Sequence, residues 1–169
     1  VRIRVNATQV GTELPYARGF ACANVYFRRR APPVRAMTDH PPVWVRWPYA
    51  RIRRELETEQ GQVRRFVAQL EYDIEATPTG QNTPDWRTVA RFDHDVTGEQ
   101  SHDVREEGVH LDIYRDGEKY QVRTGFPPVP LGRAFRYSED YLTQNADRLL
   151  VQFEQWHALH GPWRTQSSE

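Results

Sequence analysis

Two histidines and several carboxylates lie close together in the stretch from residue 102 to residue 117, which reads HDVREEGVHLDIYRDG. His110 and Asp112 are two residues apart, so both lie on one face if the stretch is a β-strand. An imidazole beside a carboxylate is held in one tautomer and becomes more basic, as a general base requires. The spacing therefore indicates either a catalytic site or the charged, solvated side of a sheet.

Neighbouring predicted strands add carboxylates and arginines to the same face, provided that the strands pair in chain order. Histidines near carboxylates, with arginines that bind a phosphate through two hydrogen bonds, are the parts of a metal-independent ribonuclease. In this hypothesis His110 or His102 moves protons, and Arg91 or Arg123 stabilises charge. The candidate catalytic residues are His110, Asp112, His102 and Arg91, and the candidate binding residues are Asp93, Asp95, Arg123 and Glu71.

A structural interpretation competes with this hypothesis. The outer face of an antiparallel sheet is normally charged, and opposite charges on adjacent strands stabilise it modestly. On this interpretation the same residues are a solvated surface, or a surface that binds a partner without catalysis.

The sequence predicts no bound metal and no cofactor, although two metal arrangements are alternatives. His110, Asp112 and a distant His157 match the facial triad of non-haem iron oxygenases, but those enzymes use a jelly roll, and here only a hairpin and a helix follow the motif. A divalent ion among Asp93, Asp95 and Asp112 is the second arrangement. Cys22 is the single cysteine of the chain, which excludes an internal disulfide and a cysteine-based zinc cluster.

The other histidines of the C-terminal half are predicted to be structural. His94 shares a strand face with Phe92, which points toward the core. His157 and His160 lie at the end of a predicted helix, where the dipole favours cationic side chains.

Alternating apolar and polar residues predict strands at 66–76, 86–96 and 109–115. The intervening segments, 77–85 and 97–108, are rich in turn-forming or polar residues and are predicted to be loops.

Asp116–Gly117 is the strongest local signal, because both central residues of a type I′ turn need a positive φ. A two-residue turn at this point predicts a hairpin with a fourth strand. The predicted pairs are Ile113 with Tyr120 and Leu111 with Val122 on the core face, and Asp112 with Gln121 and His110 with Arg123 on the polar face.

The C-terminal part predicts one long helix, with Ser138 as its N-cap. An apolar stripe at helical spacing follows and consists of Leu142, Ala146, Leu149, Leu150, Phe153 and Trp156. This stripe needs an apolar surface, which the core face of the sheet offers. The predicted fold is therefore α+β, with an antiparallel meander of about four strands packed on a long C-terminal helix in two layers.

The segment before the first predicted strand, 37–63, is predicted to be an extended lead-in, 38–48, followed by a short surface helix, 49–60. The helix is predicted because Ile52 and Leu56 are four residues apart and Gly61 follows. The predicted single domain covers 64–162, and 163–169 is a tail.

Charge is unevenly distributed, although 23 basic residues balance 23 acidic ones. Residues 1–36 hold seven arginines and one acid, a net charge of +6, which leaves −6 for the rest of the chain. Met37 is the only methionine. We therefore expect residues 1–36 to be a non-native or disordered extension and the native chain to begin at Met37, with a genuine basic arm as the alternative.

The composition favours a cytoplasmic protein that does not contact a membrane. No run approaches the roughly 20 apolar residues of a membrane helix, and the basic N-terminal stretch lacks the apolar core of a signal peptide. The acidic body contains one lysine, Lys119, and suits the high-salt cytoplasm of a halophilic archaeon.

Two segments carry a resemblance to known proteins: WRTVARFDHD at 86–95 and HDVREEGVHLDIYRDGEKY at 102–120. They resemble a group of small archaeal and bacterial proteins with a W-x-x-V-x-R-F-D strand and a G-x-H-x-D-x-Y hairpin. The likeness covers roughly residues 64–128 and implies a shared fold without an assigned activity. The strand order is also similar to TumE-type toxins of toxin–antitoxin pairs, which usually carry several histidines in the last strand, where this chain has His110 alone.

The leading prediction is a small protein that binds a protein or RNA partner through the polar face of its sheet and the loop 97–108. The alternative is a metal-independent endoribonuclease of toxin type.

Overall fold

The computed structural model describes residues 35–97 and 101–159. Within these stretches the strands pair in chain order as one six-stranded antiparallel meander. The elements are β1 (Arg35–Arg46), β2 (Ala50–Glu59), β3 (Gln62–Asp73), β4 (Trp86–Asp95), α1 (Val104–Glu107), β5 (Leu111–Arg115), β6 (Glu118–Arg123) and α2 (Leu131–Trp156). The predicted α+β class with a long C-terminal helix is confirmed, but the sheet has six strands and not about four.

The predicted surface helix at 49–60 is wrong, because this segment is β2. A spacing of four residues puts Ile52 and Leu56 on one side of a strand as well as on one side of a helix, so the pattern does not separate the two. β2 has ladder partners on both sides, β1 and β3, and these satisfy its backbone groups. Gly61 does not end a helix; with Gln60 it forms the β2–β3 turn, at φ values of 77° and 53°.

The predicted extended segment 38–48 forms most of β1, an edge strand of the sheet. The predicted boundary between residues 36 and 37 falls inside this strand. The rest of the predicted N-terminal extension, 1–34, and the predicted tail, 163–169, lie outside the described residues.

The apolar core lies between the sheet and α2, which packs chiefly against β3 and also against β4 and β2. The predicted helix stripe is buried from Leu142 to Phe153, and Trp156 packs at its edge. Each large apolar side chain removed from water contributes about 1.5–3 kcal/mol. The sheet residues that are at most 2% exposed in this core include Ile52, Phe66, Leu70, Phe92, Leu111 and Ile113.

The helix α2 begins eight residues earlier than predicted, with its first residue at Leu131 and its N-cap position at residue 130. The Pro-rich segment ends at Pro130, which stands at the N-cap position, where a missing N–H has no cost. Ser138 is therefore not the N-cap; it is buried inside the helix, and its Oγ donates a hydrogen bond of 2.8 Å to the carbonyl of Ala134.

The Asp116–Gly117 turn is confirmed, with φ values of 53° and 83°. The predicted strand pairing beyond it is wrong, because a bulge between Ile113 and Tyr114 shifts the register by one residue. The preference of Asp-Gly for a two-residue turn concerns only the turn itself and does not predict a bulge farther along the strand. The observed pairs are Arg115 with Glu118, Tyr114 with Lys119, Ile113 with Gln121, Asp112 with Val122 and Leu111 with Arg123.

Neither α1 nor α2, the helices within the described stretches, is long and apolar enough to cross a membrane.

Candidate functional site

The polar face of the sheet is more deeply buried than the sequence suggests. Gln69, Glu71, Asp73, His110 and Asp112 are each at most 9% exposed. The expectation of a merely solvated face is therefore wrong at its centre. A buried polar group is costly unless it has a hydrogen-bond partner, so the partners of each group decide what it does.

One buried carboxylate on this face, Glu71, has a partner for each oxygen. Its Oε2 accepts a hydrogen bond of 2.9 Å from Arg51 Nε, and its Oε1 accepts one of 2.9 Å from Gln69 Nε2. Arg53 Nε lies 3.2 Å from Oε1, and the Arg51 guanidinium stacks 3.9 Å above the ring of Trp86. We call Glu71, Arg51, Arg53 and Gln69 the Glu71 network, and its pairing is typical of a structural ion pair.

A second group of polar residues, two buried and two partly buried, gathers where β4 meets β5. We call Asp93, His102, His110 and Asp112 the His110 cluster. Arg91 of β4 pairs with Asp112 of β5, and the same register extended by two residues places Asp93 beside His110. One ligand atom from each of Asp93, His110 and Asp112 lies within 4.8 Å of the other two. His102, Glu107 and His110 form a similar group, in which one ligand atom of each residue lies within 4.8 Å of the other two.

Each carboxylate of the cluster binds a cation with one oxygen only. Arg91 Nη2 lies 2.7 Å from Asp93 Oδ2, and Lys119 Nζ lies 2.5 Å from Asp112 Oδ2. The other oxygens, Asp93 Oδ1 and Asp112 Oδ1, are buried and accept no hydrogen bond from any described residue. Asp112 Oδ1 faces the His110 ring, with Nε2 at 4.0 Å, too far for a hydrogen bond.

The pairing of Lys119 with Asp112 also affects the ammonium group. Burial by itself would lower the pKa of Lys119, but the hydrogen bond and the attraction of the Asp112 carboxylate outweigh it and raise the pKa. The only lysine of the chain therefore provides a positive charge beside the His110 cluster.

His102 reaches the cluster because its loop folds back onto β4. His102 and Asp95 exchange two backbone hydrogen bonds of 2.9 Å, and the ring centres of His102 and His110 are 5.0 Å apart. His102 Nδ1 lies 3.2 Å from Glu107 Oε2. The predicted loop 97–108 thus holds this bridge and the short helix α1, while residues 98–100 are outside the described part.

Helix α1 is capped by Asp103, whose side chain accepts a hydrogen bond of 2.9 Å from the Arg105 N–H. The Arg105 guanidinium also binds this carboxylate, and these hydrogen bonds lower the pKa of Asp103 to about 2.

His94 lies in the core, as predicted from its strand face. It is fully buried, and its Nδ1 accepts a hydrogen bond of 3.2 Å from the Val104 N–H. Burial lowers the pKa of His94 and favours the neutral ring that can accept this bond. His94 therefore holds α1 against the sheet. The prediction that His94 is a structural residue of the core is confirmed.

Several predicted site residues lie outside the cluster. Glu71 belongs to its own network, and Asp95 binds the side chain and the backbone N–H of Thr97. Arg123 stands opposite Leu111, a residue of the core face, so the predicted pair with His110 is wrong; the β5–β6 bulge is the reason. His157 lies 3.7 Å from Asp116 at the hairpin turn and does not complete a triad with His110 and Asp112.

The sequence predicts site roles for five residues that lie together in the structure: His110, Asp112, His102, Arg91 and Asp93. It does not predict two further residues that contact the cluster, Lys119 and Glu107. Lys119 is not among the predicted site residues, although a single lysine in the whole chain is a feature that the sequence shows. Glu107 falls in the predicted loop 97–108, and no pattern in the sequence predicts its contact with His102. His160 lies outside the described residues.

The chain is thus an α+β protein with a six-stranded antiparallel sheet, one long helix packed against it and a partly buried histidine–carboxylate cluster. A family model described as a domain of unknown function (DUF7718) matches residues 43–159, more than half of the chain, and the protein belongs to this family. The predicted membership of an uncharacterised family is confirmed, whereas the two motifs and the toxin resemblance stay predictions. No curated protein and no solved structure matches the chain.

Proposed function

We propose that the protein is a ligand-binding domain and that the His110 cluster is its binding site. The observation that carries this proposal is the pair of buried oxygens, Asp93 Oδ1 and Asp112 Oδ1, which have no hydrogen-bond partner in the described part of the chain. Native proteins satisfy nearly all buried polar atoms. Other buried side-chain atoms of the described residues also lack a partner, but these two are carboxylate oxygens of one side-chain group on adjacent strands, and this arrangement indicates a site kept for a ligand. The sequence predicts binding through the whole polar face and the loop 97–108. The proposed site is a smaller part of this surface and consists of the His110 cluster.

Access and charge support the same site. The His102 side chain is 31% exposed and that of Lys119 is 39% exposed, so that the cluster borders solvent on two sides. Arg91 and Lys119 each lie beside one of the two aspartates and balance its charge.

Asp112→Asn tests whether the cluster serves binding or stability. The side chain keeps its shape, and its amide can donate a hydrogen bond toward His110 Nε2. The substitution also removes the charge that Lys119 binds, but the Lys119 side chain is 39% exposed and its ammonium can turn to water. We therefore expect the free energy of unfolding, measured by urea denaturation, to change by less than about 1 kcal/mol, because relief of the unpartnered Asp112 Oδ1 offsets part of the lost ion pair. A loss of about 2 kcal/mol or more would show that the cluster is a structural element, and the proposal would fail.

A metal-independent endoribonuclease is the second candidate, and one observation favours it. The His102 and His110 rings are in contact beside two cations, Arg91 and Lys119, which is a suitable arrangement for proton transfer next to a phosphate. In this candidate the Asp112 carboxylate, 4.0 Å from His110 Nε2, stabilises the positive charge that the ring acquires during proton transfer, and the product of catalysis is cleaved RNA.

The two candidates differ in turnover. For the enzyme, His110→Ala or His102→Ala should lower RNA cleavage by about 10²-fold or more while the far-UV circular dichroism is unchanged. His157→Ala is the matched control, because His157 lies at the end of α2 beside Asp116, away from the cluster. Wild-type protein without RNase activity, or equal activity in all three variants, would remove this candidate.

A further inference from the structure

Three side chains of the His110 cluster offer the donor set of a metal site. Asp93 and Asp112 present oxygens, and His110 presents a nitrogen, all within 4.8 Å of one another. Bonds of about 2.0–2.2 Å to one ion require these atoms to approach to about 3.3 Å. Small rotations of the three side chains achieve this without a change in the strands.

The carboxylates are already oriented for this role. Arg91 and Lys119 each bind one Oδ2 atom, which fixes the plane of each carboxylate and leaves both Oδ1 atoms without a hydrogen bond among the described residues. Asp112 is 2% exposed, and its Oδ1 points at the imidazole of His110. Groups that bind the far side of a ligand in this way are a regular feature of metal sites.

The identity of the donors indicates the kind of ion. Mg²⁺ and Ca²⁺ prefer oxygen ligands alone, whereas imidazole suits zinc, iron, nickel and copper. We propose that Asp93, His110 and Asp112 bind one divalent transition-metal ion, as the ligand of the site proposed above. The His102 imidazole, beside that of His110, is a further donor within reach.

This inference rests on the proposed function and gives it a defined ligand. The Glu71 network offers a contrast, since both carboxylate oxygens of Glu71 accept hydrogen bonds from arginine and glutamine donors, and among the described residues no histidine joins Glu71 in a group that could hold a metal ion. The same face of the sheet therefore has one carboxylate group suited to an ion and one that is not.

A titration with Co²⁺ tests the proposal on the full chain after treatment with a chelator. We expect one ion per chain, with visible absorption from cobalt bound to nitrogen and oxygen, and displacement by Zn²⁺ but not by excess Mg²⁺. Asp112→Asn and His110→Ala should raise the dissociation constant at least about tenfold. In a spectrum of the ¹⁵N-labelled protein, Zn²⁺ should shift the ring nitrogens of His110 and leave those of His157 unchanged.

Asp95→Asn is the matched control. Asp95 lies on β4, the strand of Asp93, and undergoes the same chemical change, but its carboxylate binds Thr97. This variant should bind Co²⁺ as the wild type does. Equal affinity of the wild type and Asp112→Asn would overturn the metal proposal, as would the absence of binding by the wild type up to millimolar Co²⁺.

The stability of Asp112→Asn separates the two proposals. If the wild type binds no Co²⁺ and Asp112→Asn loses less than about 2 kcal/mol, the metal proposal is overturned and the binding site stands with another ligand. If Asp112→Asn loses about 2 kcal/mol or more by the urea measurement described above, the proposed function itself is overturned.

Discussion

The Glu71 network and the His110 cluster lie on the same face of one sheet, and both are built around carboxylates. Both contain buried carboxylates flanked by cations. They differ in how completely the carboxylate oxygens are paired: both oxygens of Glu71 accept hydrogen bonds, and one oxygen of each cluster aspartate accepts none among the described residues. The composition of a charged face thus says little about its role, and the pairing of individual atoms says more.

The difference follows from the length of the strand pairs. β2 and β3 pair along their whole length, so that Arg51 and Arg53 of β2 both reach Glu71, while Gln69 is two residues from it on the same strand. β4 and β5 pair in the described structure only at Ala90 with Ile113 and Arg91 with Asp112. Beyond this short pairing a loop lies beside β4, and its His102 imidazole contacts that of His110.

The comparison predicts its largest effect at Glu71. Glu71→Gln removes the charge that Arg51 and Arg53 share and leaves both guanidiniums partly buried without it. We expect a loss of about 2 kcal/mol in the free energy of unfolding, measured by urea denaturation, because a hydrogen bond to a charged group contributes about 1.5–3 kcal/mol. Glu118→Gln, an exposed glutamate on β6, is the control and should change stability little; equal losses in the two variants would remove the distinction between the regions.

The next effect is expected at Lys119. Lys119→Met takes away the cation that binds Asp112 Oδ2, so that neither oxygen of a buried carboxylate keeps a partner in the described structure. We expect a loss of about 1.5 kcal/mol. Adding Asp112→Asn should restore most of it, and a double-mutant cycle measures this coupling. Additive losses would show that the two side chains are independent.

The hairpin turn gives a smaller effect. Gly117→Ala places a side chain at φ = 83°, where a Cβ meets no atom within 4 Å, so that backbone strain alone should cost about 1 kcal/mol. The turn sets the register that brings Lys119 to Asp112. Gly132→Ala is a matched control, because Gly132 is helical and equally free of contacts; thermal unfolding should show it unchanged or more stable. A destabilised Gly132→Ala would mean that strain is not the cause.

The smallest effect concerns pH. Because the folded pKa of Asp103 is about 2, below its ordinary 3.8, the carboxylate contributes stability that is present above pH 3.8 and is lost as the pH falls toward 2. Asp103→Asn keeps a capping side chain and should therefore lose less stability than the wild type over this range. Denaturation curves recorded between about pH 5 and 2 measure this difference. Parallel pH profiles of the two proteins would contradict the role of the charge.

Local patterns in the sequence were sufficient for several parts of the fold. The Asp116–Gly117 turn, the apolar stripe of α2 and the inward side of Val109, Leu111 and Ile113 all follow from preferences that act within a few residues. For the same reason His94 was placed correctly in the core. In the candidate site, the two-residue spacing of His110 and Asp112 indicated a shared face.

Other features were decided only by tertiary structure. A spacing of four is compatible with a helix and with a strand, and the ladders on both sides of the segment 50–59 made it a strand. The bulge beside Tyr114 moved Arg123 away from His110 and left Lys119 beside Asp112. Which carboxylate oxygen has a partner depends on strand pairing and on the path of a loop, and neither is encoded by residue type or spacing within one segment.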